Sequence, residues 1–360
     1  MDPDANAPLE ISVEEAHRAQ SEGIPLVDIR TAAELQAGAP NGSIVMSAED
    51  VLARCAAEPG WRINLLCAGG ARSLVLAARL RGANTGIARS VSGGFESWVA
   101  SGLPVEPLAN LSAEQGDRYA RHLVMEQVGP GGQQKLLNSR VLLVGLGGLN
   151  SPVALYLAAA GVGTLGLLDD DHVARSNLQR QVVHAESRIG DSKAQSARKR
   201  LAELNPDVRT EVIEQRLDAM NAAFLVQDWD VVVDGTDNFP ARYALNQACA
   251  AAEKPLVYGA VMRFQGQVSV FWPGRHPGEA PCLNCLFPDA PSETEAPSCA
   301  EAGVLGVLPG IVGTLQATET LKILLGLGSP LVGQLLMVDA LTMEFRKTRI
   351  KPAPDCSVCG

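Results

Sequence analysis

Short apolar runs alternate with helical periodicities along this 360-residue chain. In the first third, strand-like runs at Leu26–Ile29, Ile63–Leu66 and Ala88–Val91 are interleaved with helical stretches at Ala48–Ala57, Ser73–Arg81 and Phe95–Ser101. That alternation predicts a small doubly wound α/β unit of ~100 residues. Leu103–Ser112 then carries Pro104 and Pro107 and no strong apolar period, so it reads as a linker. The expected division is residues 1–107, a linker at 108–113, and a second domain at 114–360. The second alternation starts with a polar helix around Gln115–Leu137 and the strand Arg140–Val144. Apolar strands follow at Thr164–Leu168, Val231–Val233 and Leu256–Tyr258. Ser151–Leu168 has the length of a short membrane span. It is interrupted by Pro152, Gly161, Gly163 and Gly166 and ends at Asp169-Asp170-Asp171, which predicts a buried helix, a turn and a strand instead. Ala290–Ala302 reads as a mobile loop.

Composition narrows the class. Hydrophobic residues make up 46% and charged residues 19%, which gives folded domains rather than disorder. A net charge of −10 lacks the basic footprint of a nucleic-acid or anionic-membrane binder, so any phosphate site must be a local cluster of cations. The opening MDPDANAPLE has no signal- or transit-peptide character, and the expected location is the cytoplasm. There, eight cysteines suggest metal ligands or reactive thiols rather than disulfides. Cys55 and Cys249 fall on apolar helical faces and read as core residues.

Cys67 stands where a strand meets a helix, in Cys67-Ala-Gly-Gly-Ala-Arg72-Ser73. Converging backbone N–H groups and a helix N-terminus stabilise negative charge at such a point, and Arg72 adds a positive one. This lowers a thiol pKa and steadies a persulfide; the alternative is a buried cysteine beside a helix cap. Residues 9–107 resemble a rhodanese domain through Leu26-Val-Asp28-Ile-Arg30, the Cys67-to-Arg72 loop, and Ser92-Gly-Gly-Phe-Glu-Ser-Trp98 with Gly102-Leu-Pro104. The resemblance implies that Cys67 accepts a sulfane sulfur and passes it on. Gly38-Ala-Pro-Asn-Gly-Ser43 departs from the family pattern.

In the second domain, Arg140-Val-Leu-Leu-Val-Gly145-Leu-Gly147-Gly148-Leu-Asn150-Ser151-Pro152 reads as strand, glycine-rich turn and helix start. Gly145 allows the turn, Gly147 lets backbone approach phosphate, Ser151 can cap, and Pro152 suits the first helical turn. Asn150 replaces the usual third glycine. Asp169, at the end of the next strand, suits a ribose hydroxyl. NAD and FAD enzymes share these features. ATP activation additionally needs cations for a triphosphate and a carboxylate for Mg²⁺. Asn177, Arg180 and Lys193 supply the first kind of partner, and Asp237 in Asp234-Gly-Thr-Asp237-Asn238 the second. Cys282-Leu-Asn-Cys285 and Cys356-Ser-Val-Cys359 suit a structural tetrahedral Zn²⁺, with redox pairs as the alternative.

Residues ~114–360 resemble the MoeB/ThiF family of ubiquitin-activating-like enzymes, closest to the molybdopterin-synthase adenylyltransferase type. The matching stretches are Arg118-Tyr-Ala-Arg121, Gly145–Pro152, Leu167–Asp171, Ser176–Gln181, Asp234–Asn238, Phe264–Val268 and Cys299–Gly303. The fold so implied is α/β, with an N-terminal rhodanese-like domain and a C-terminal Rossmann-like nucleotide domain bearing structural zinc. In the implied reaction ATP and the C-terminal glycine carboxylate of a ubiquitin-like sulfur carrier give a carrier acyl-adenylate and pyrophosphate, and Cys67 then supplies sulfur from a persulfide donor such as a cysteine desulfurase or thiosulfate. By motif, Gly145, Gly147 and Gly148 line the nucleotide. Asp169 holds ribose, Asn177, Arg180 and Lys193 the triphosphate, and Asp237 Mg²⁺. Arg121 reaches the neighbouring subunit of a homodimer, and Cys299 lies near the acyl-adenylate, with a bystander thiol as the alternative. Carriers of thiamine synthesis or tRNA thiolation, or a nicotinamide-dependent oxidoreductase fused to a rhodanese, are the competing readings.

Overall fold

The structure, a computed structural model, describes residues 8–31, 34–83, 87–106, 111–125, 127–275, 278, 280–289 and 303–360. It divides into two compact units, Met1–Gln134 and Lys135–Gly360.

In the first unit, β1 (Glu10–Ile11), β2 (Leu26–Asp28), β4 (Ile44–Val45), β5 (Arg62–Leu66) and β6 (Ile87–Val91) form a parallel sheet in the order β1-β6-β5-β2-β4. β3 (Ala39–Pro40) pairs with β7 (Val105–Glu106), so the unusual Gly38–Ser43 segment is tied to the end of the domain. Side chains alternate across the sheet. Val27, Ile63 and Leu65 pack with α2 (Ala48–Ala57) and α3 (Ala71–Gly82), while Leu26, Leu66 and Val91 pack with α1 (Val13–Ser21) and α4 (Gly94–Ala100). Cys55 is buried in the first of these layers, as its helical position predicts.

The polar helix expected over Gln115–Leu137 is in fact three pieces, α5 (Ala113–Arg118), α6 (Ala120–Leu123) and α7 (Gly129–Asn138). Pro130 sits in the first turn of α7 beside Gly129, Gly131 and Gly132. A proline lacking its N–H suits a helix start and not a helix interior, so the chain restarts there.

The second unit is an eight-stranded sheet in the order β10-β9-β8-β11-β12-β13-β14-β15. β8 (Arg140–Val144), β9 (Thr164–Leu168), β10 (Arg209–Ile213), β11 (Val231–Asp234) and β12 (Leu256–Met262) run parallel. β13 (Gln265–Phe271), β14 (Gln334–Asp339) and β15 (Glu344–Arg349) extend it antiparallel. Val141 and Leu143 face α8 (Asn150–Ala159), α9 (Lys193–Leu204) and the long α12 (Val307–Leu325). Leu142 and Val144 face α10 (Ala222–Val226) and α11 (Phe239–Ala251). Burial on both faces is what the unbroken apolar run of β8 requires. The apolar stretch after Asn150 is the helix, turn and strand its sequence predicts, and no helix among the described residues is long and apolar enough to cross a membrane.

Candidate functional sites

Cys67 follows β5 and is 1% exposed. Its Sγ accepts the N–H of Gly70 at 3.2 Å and of Ser73 at 3.4 Å, and Ser73 Oγ lies 3.3 Å away. Burial opposes ionisation, but Ser73's hydroxyl and the N–H groups of Ser73, Gly70 and Arg72 outweigh it and bring the thiol below its ordinary range. The loop rests on backbone. Phe95 N donates to the Cys67 carbonyl at 2.8 Å and Glu96 N to that of Ala68 at 3.1 Å. Gly94 makes this approach feasible, since its φ is +56° and a Cβ there would fall on the Cys67 carbonyl oxygen. Trp98 Nε1 donates to the Pro104 carbonyl at 3.1 Å, which links the closing motif to the domain's end.

Arg72 is not a free cation. Its guanidinium pairs with Glu34, a partner that sequence reading missed. Burial opposes the charge on Glu34, but Arg72 and the N–H and hydroxyl of Thr31 bring its carboxyl down to about 2. Asp28 and Arg30 form a buried ion pair at 2.7 Å, with Arg30 Nη2 also donating to the Gly38 carbonyl, so this motif braces the site.

The second site is a cleft of about 820 Å³, within the range of small-molecule pockets. It opens at the carboxyl ends of β8 and β11, where the chain's strand order reverses, the usual ligand crevice of such sheets. Gly145, Gly147, Gly148, Asp169, Arg180, Lys193 and Asp237 all line it. Gly145 has φ +78° and packs so closely on Gly235 that a Cβ would lie 2.9 Å from the Gly235 carbonyl oxygen. Asn150 fills the third-glycine position: its Nδ2 donates to the carbonyls of Val144 at 3.0 Å and Gly145 at 2.8 Å. Ser151 does not cap. Its hydroxyl donates backwards to the Gly147 carbonyl at 2.8 Å, because the helix already begins at Asn150. The N–H groups of Gly147 and Gly148 meet no acceptor among the described residues, so they remain available to a phosphate.

Asp169 accepts Leu146 N at 2.6 Å and Asp171 N at 2.8 Å, and its carboxylate retains lone pairs for a ribose. Lys193, almost buried, donates to Asp171 Oδ2 at 2.6 Å, and this ammonium outweighs partial burial in lowering the Asp171 pKa. Arg180 donates to Asn177 Oδ1 and the Ser176 carbonyl, both at 3.2 Å. Asn177 therefore orients Arg180 and does not itself line the cleft. Asp237 is exposed, with no hydrogen-bond partner among the described residues, and presents a hard oxygen donor suited to Mg²⁺. Asn238, not Asp237, caps α11. Beneath it, buried Asp234 Oδ2 faces Arg242 Nε at 3.5 Å, and burial raises the Asp234 pKa against the pull of that guanidinium.

Cys282, Cys285, Cys356 and Cys359 converge, with all four Sγ atoms within 4.8 Å of one another. Cys282 to Cys356 is 3.6 Å and Cys285 to Cys359 is 3.4 Å, and none is in a disulfide. A tetrahedral Zn²⁺ with bonds of ~2.3 Å places its sulfurs ~3.8 Å apart, so the cluster fits the ion. Partial burial opposes it, but the N–H groups of Val358 and Cys359 bring the Cys356 thiol down to about 7. Cys249 is a core residue, its thiol pushed up by burial. Arg121 is exposed on α6. Cys299 lies outside the described residues.

A glycine-rich loop at a switch point, with cations and a carboxylate around it, marks an α/β protein with a candidate nucleotide cleft, in a chain that also carries a cysteine-loop domain. The chain belongs to the ThiF family, whose model matches residues 119–358, and residues 12–101 match the rhodanese-like domain. It is 51% identical over 251 residues to the SAMP-activating enzyme E1 of Haloferax volcanii, covering 70% of this chain and 91% of that protein. It is 50% identical over 248 residues to the sulfur carrier protein adenylyltransferase of Thermus thermophilus, covering 69% and 92%. A match at 43% over 255 residues to the adenylyltransferase and sulfurtransferase MOCS3 of Drosophila persimilis covers 71% of this chain and 56% of that one. The fold is similar to that of E. coli MccB crystallised with ATP, at a TM-score of 0.60 and 22% identity over 68% of this chain and 74% of that one.

Proposed function

We propose that the chain adenylates the C-terminal glycine of a ubiquitin-like sulfur carrier and then sulfurates it, so that 1–107 and 114–360 are two successive catalysts joined at 108–113. The observation that carries this reading is the cleft in which the N–H groups of Gly147 and Gly148, without an acceptor among the described residues, share a wall with Arg180, Lys193 and Asp237. The name of the Thermus relative supports adenylation of a sulfur carrier, that of the Haloferax relative supports activation of a partner, and the rhodanese-like match supports sulfur transfer.

In the first step a carrier carboxylate oxygen attacks the α-phosphorus of ATP, the bond to the β-phosphate breaks, and pyrophosphate leaves. The glycine N–H groups, Arg180 and Lys193 hold the phosphates and offset negative charge as it grows on the leaving group. Asp169 fixes the ribose, Asn177 aims Arg180, and Asp237 is the ligand for Mg²⁺, which supplies Lewis acidity when bound. Asp171 holds the Lys193 ammonium in place. In the second step the outer sulfur of a Cys67 persulfide attacks the acyl carbon and AMP leaves. A thiol reductant then cleaves the sulfur–sulfur bond, supplying two electrons and releasing the thiocarboxylate. The persulfide comes from a cysteine desulfurase or thiosulfate. Ser73 and the loop N–H groups favour the Cys67 thiolate, which takes up the sulfane sulfur and is the leaving group when the sulfur–sulfur bond is cleaved.

The carrier is proposed to be of the molybdopterin synthase small-subunit type, serving molybdenum cofactor synthesis in the cytoplasm. Arg121 is assigned to the triphosphate of a second subunit in a homodimer, Cys299 to the carrier's acyl group, and the four-cysteine cluster to structural Zn²⁺. Carrier-dependent ATP–pyrophosphate exchange, run against carriers of the molybdopterin, thiamine and tRNA-thiolation types, tests the assignment. Exchange with the first carrier alone supports it, and tight NAD(P) binding without any ATP response overturns it.

A further inference from the structure

His184 follows the Asn177–Gln181 segment and is almost entirely buried, with no place in the chemistry above. Its Nε2 lies 3.0 Å from the Leu146 carbonyl oxygen and its Nδ1 lies 2.9 Å from Ser196 Oγ on α9. A carbonyl can only accept, so Nε2 carries the proton, and Nδ1 then accepts from the Ser196 hydroxyl. Burial, reinforced by Lys193 and Arg188, lowers the imidazole pKa against the opposing pull of the Leu146 carbonyl and Asp169, which agrees with a neutral ring.

Leu146 lies in the glycine-rich turn, and both peptide groups around it are held. Its N–H donates to Asp169 Oδ2 at 2.6 Å, and its carbonyl accepts from His184. In a trans peptide the N–H of Gly147 points opposite to the carbonyl of Leu146. Drawing that carbonyl back onto His184 therefore turns the Gly147 N–H the other way. Gly147 lines the cleft and its N–H has no acceptor among the described residues. We infer that His184 is a positioning residue for nucleotide binding: as a neutral Nε2–H donor fixed by Ser196, it orients the Leu146–Gly147 peptide so that its N–H is presented to a phosphate. This rests on the reading of the cleft as an ATP site.

The test is calorimetric titration of the full chain with Mg²⁺–ATP, with thermal melts on each variant. His184→Gln retains an amide donor at the reach of Nε2, and His184→Ala removes it. The expected result is affinity weakened about tenfold or more in His184→Ala and restored to within about threefold of wild type in His184→Gln, as loss and retention of one buried hydrogen bond dictate. Pyrophosphate exchange at saturating ATP should fall less than affinity does, since the loop is formed before the chemical step. Equal affinity in His184→Ala and wild type overturns the inference, as does equal weakening in His184→Gln and His184→Ala, which would make ring volume the cause. If His184→Ala does not fold, His184→Gln against wild type decides: affinity lowered beyond about threefold in a folded His184→Gln overturns the donor role. Failure of the wild-type protein to bind ATP would overturn the ATP-site reading itself, a distinct outcome.

Discussion

Gly94→Ala is the sharpest single perturbation of the first domain, because Gly94 is where one backbone leans on another beneath Cys67. The native φ of +56° is left-handed, which costs a residue with a Cβ about 1–2 kcal/mol. The new methyl would also fall on the Cys67 carbonyl oxygen and lie 2.7 Å from the Ala68 carbonyl carbon, so the two segments must part. Parting them releases the bonds from Phe95 N to Cys67 and from Glu96 N to Ala68, each contributing about 0.5–1.5 kcal/mol. Together the loss is about 2–5 kcal/mol, a large share of the ~5–15 kcal/mol that holds a typical domain. Hydrogen-exchange mass spectrometry on the full chain should show lost protection across 62–82. Alkylation of Cys67 followed against pH should shift its midpoint upward, because the N–H groups that stabilise the thiolate have moved. Gly82→Ala is the control: nothing lies within 4 Å of its Cβ, so neither protection should fall nor the alkylation midpoint rise. Native protection together with a native alkylation midpoint in Gly94→Ala would refute the claim that this glycine carries the Cys67 loop.

Glu34 titrates at about 2 when folded against ~4.3 for an unperturbed glutamate, so its contribution is complete above pH ~4.3 and is lost as pH falls toward 2. Glu34→Gln should flatten the acid limb of stability, read by urea melts at pH 3 and 6; an unchanged limb would remove Glu34 from the account. A strong chelator should release one metal ion per chain and lower the melting temperature, and Cys356→Ser should reproduce both effects; a chain that melts identically with and without chelator contradicts the structural-metal assignment. Asn150→Ala strips the Nδ2 donor from the Val144 and Gly145 carbonyls and should cost about 1–3 kcal/mol in the second unit, seen as lost exchange protection at 140–150; native protection there would count against it.

The parts legible in sequence are those whose chemistry is local. The Gly145-to-Gly148 turn, Asp169, Arg180, Lys193 and Asp237 were each readable from a strand end and its following loop, and all of them reach one cleft. The parallel strands β2, β5, β6, β8, β9, β11 and β12 are legible as apolar runs because they lie inside the sheets, whereas the parallel edge strands β1, β4 and β10 carry no such run. β15, Glu344-Phe-Arg-Lys-Thr-Arg349, is exposed along its whole length and carries no apolar run to read. The break at Gly129-Pro130-Gly131-Gly132 was visible as residues, yet a polar helical period on either side masked it. Partnerships across long sequence distances were not legible: Glu34 with Arg72, Asp171 with Lys193, and His184 with Leu146 are set by the sheet's crossovers. The missed pairs share one property. Each ties a recognisable site residue to a partner 22 or 38 positions away in the chain.

Carrier-dependent ATP–pyrophosphate exchange in Asp237→Ala and Cys67→Ala, with thiocarboxylate formation followed by mass spectrometry, separates the two proposed steps most directly. Asp237→Ala should abolish exchange, because Mg²⁺ loses its ligand on the cleft wall. Cys67→Ala should leave exchange intact and abolish the thiocarboxylate. Loss of exchange in both variants to the same extent, or full thiocarboxylate formation without Cys67, would contradict the division of labour between the two domains.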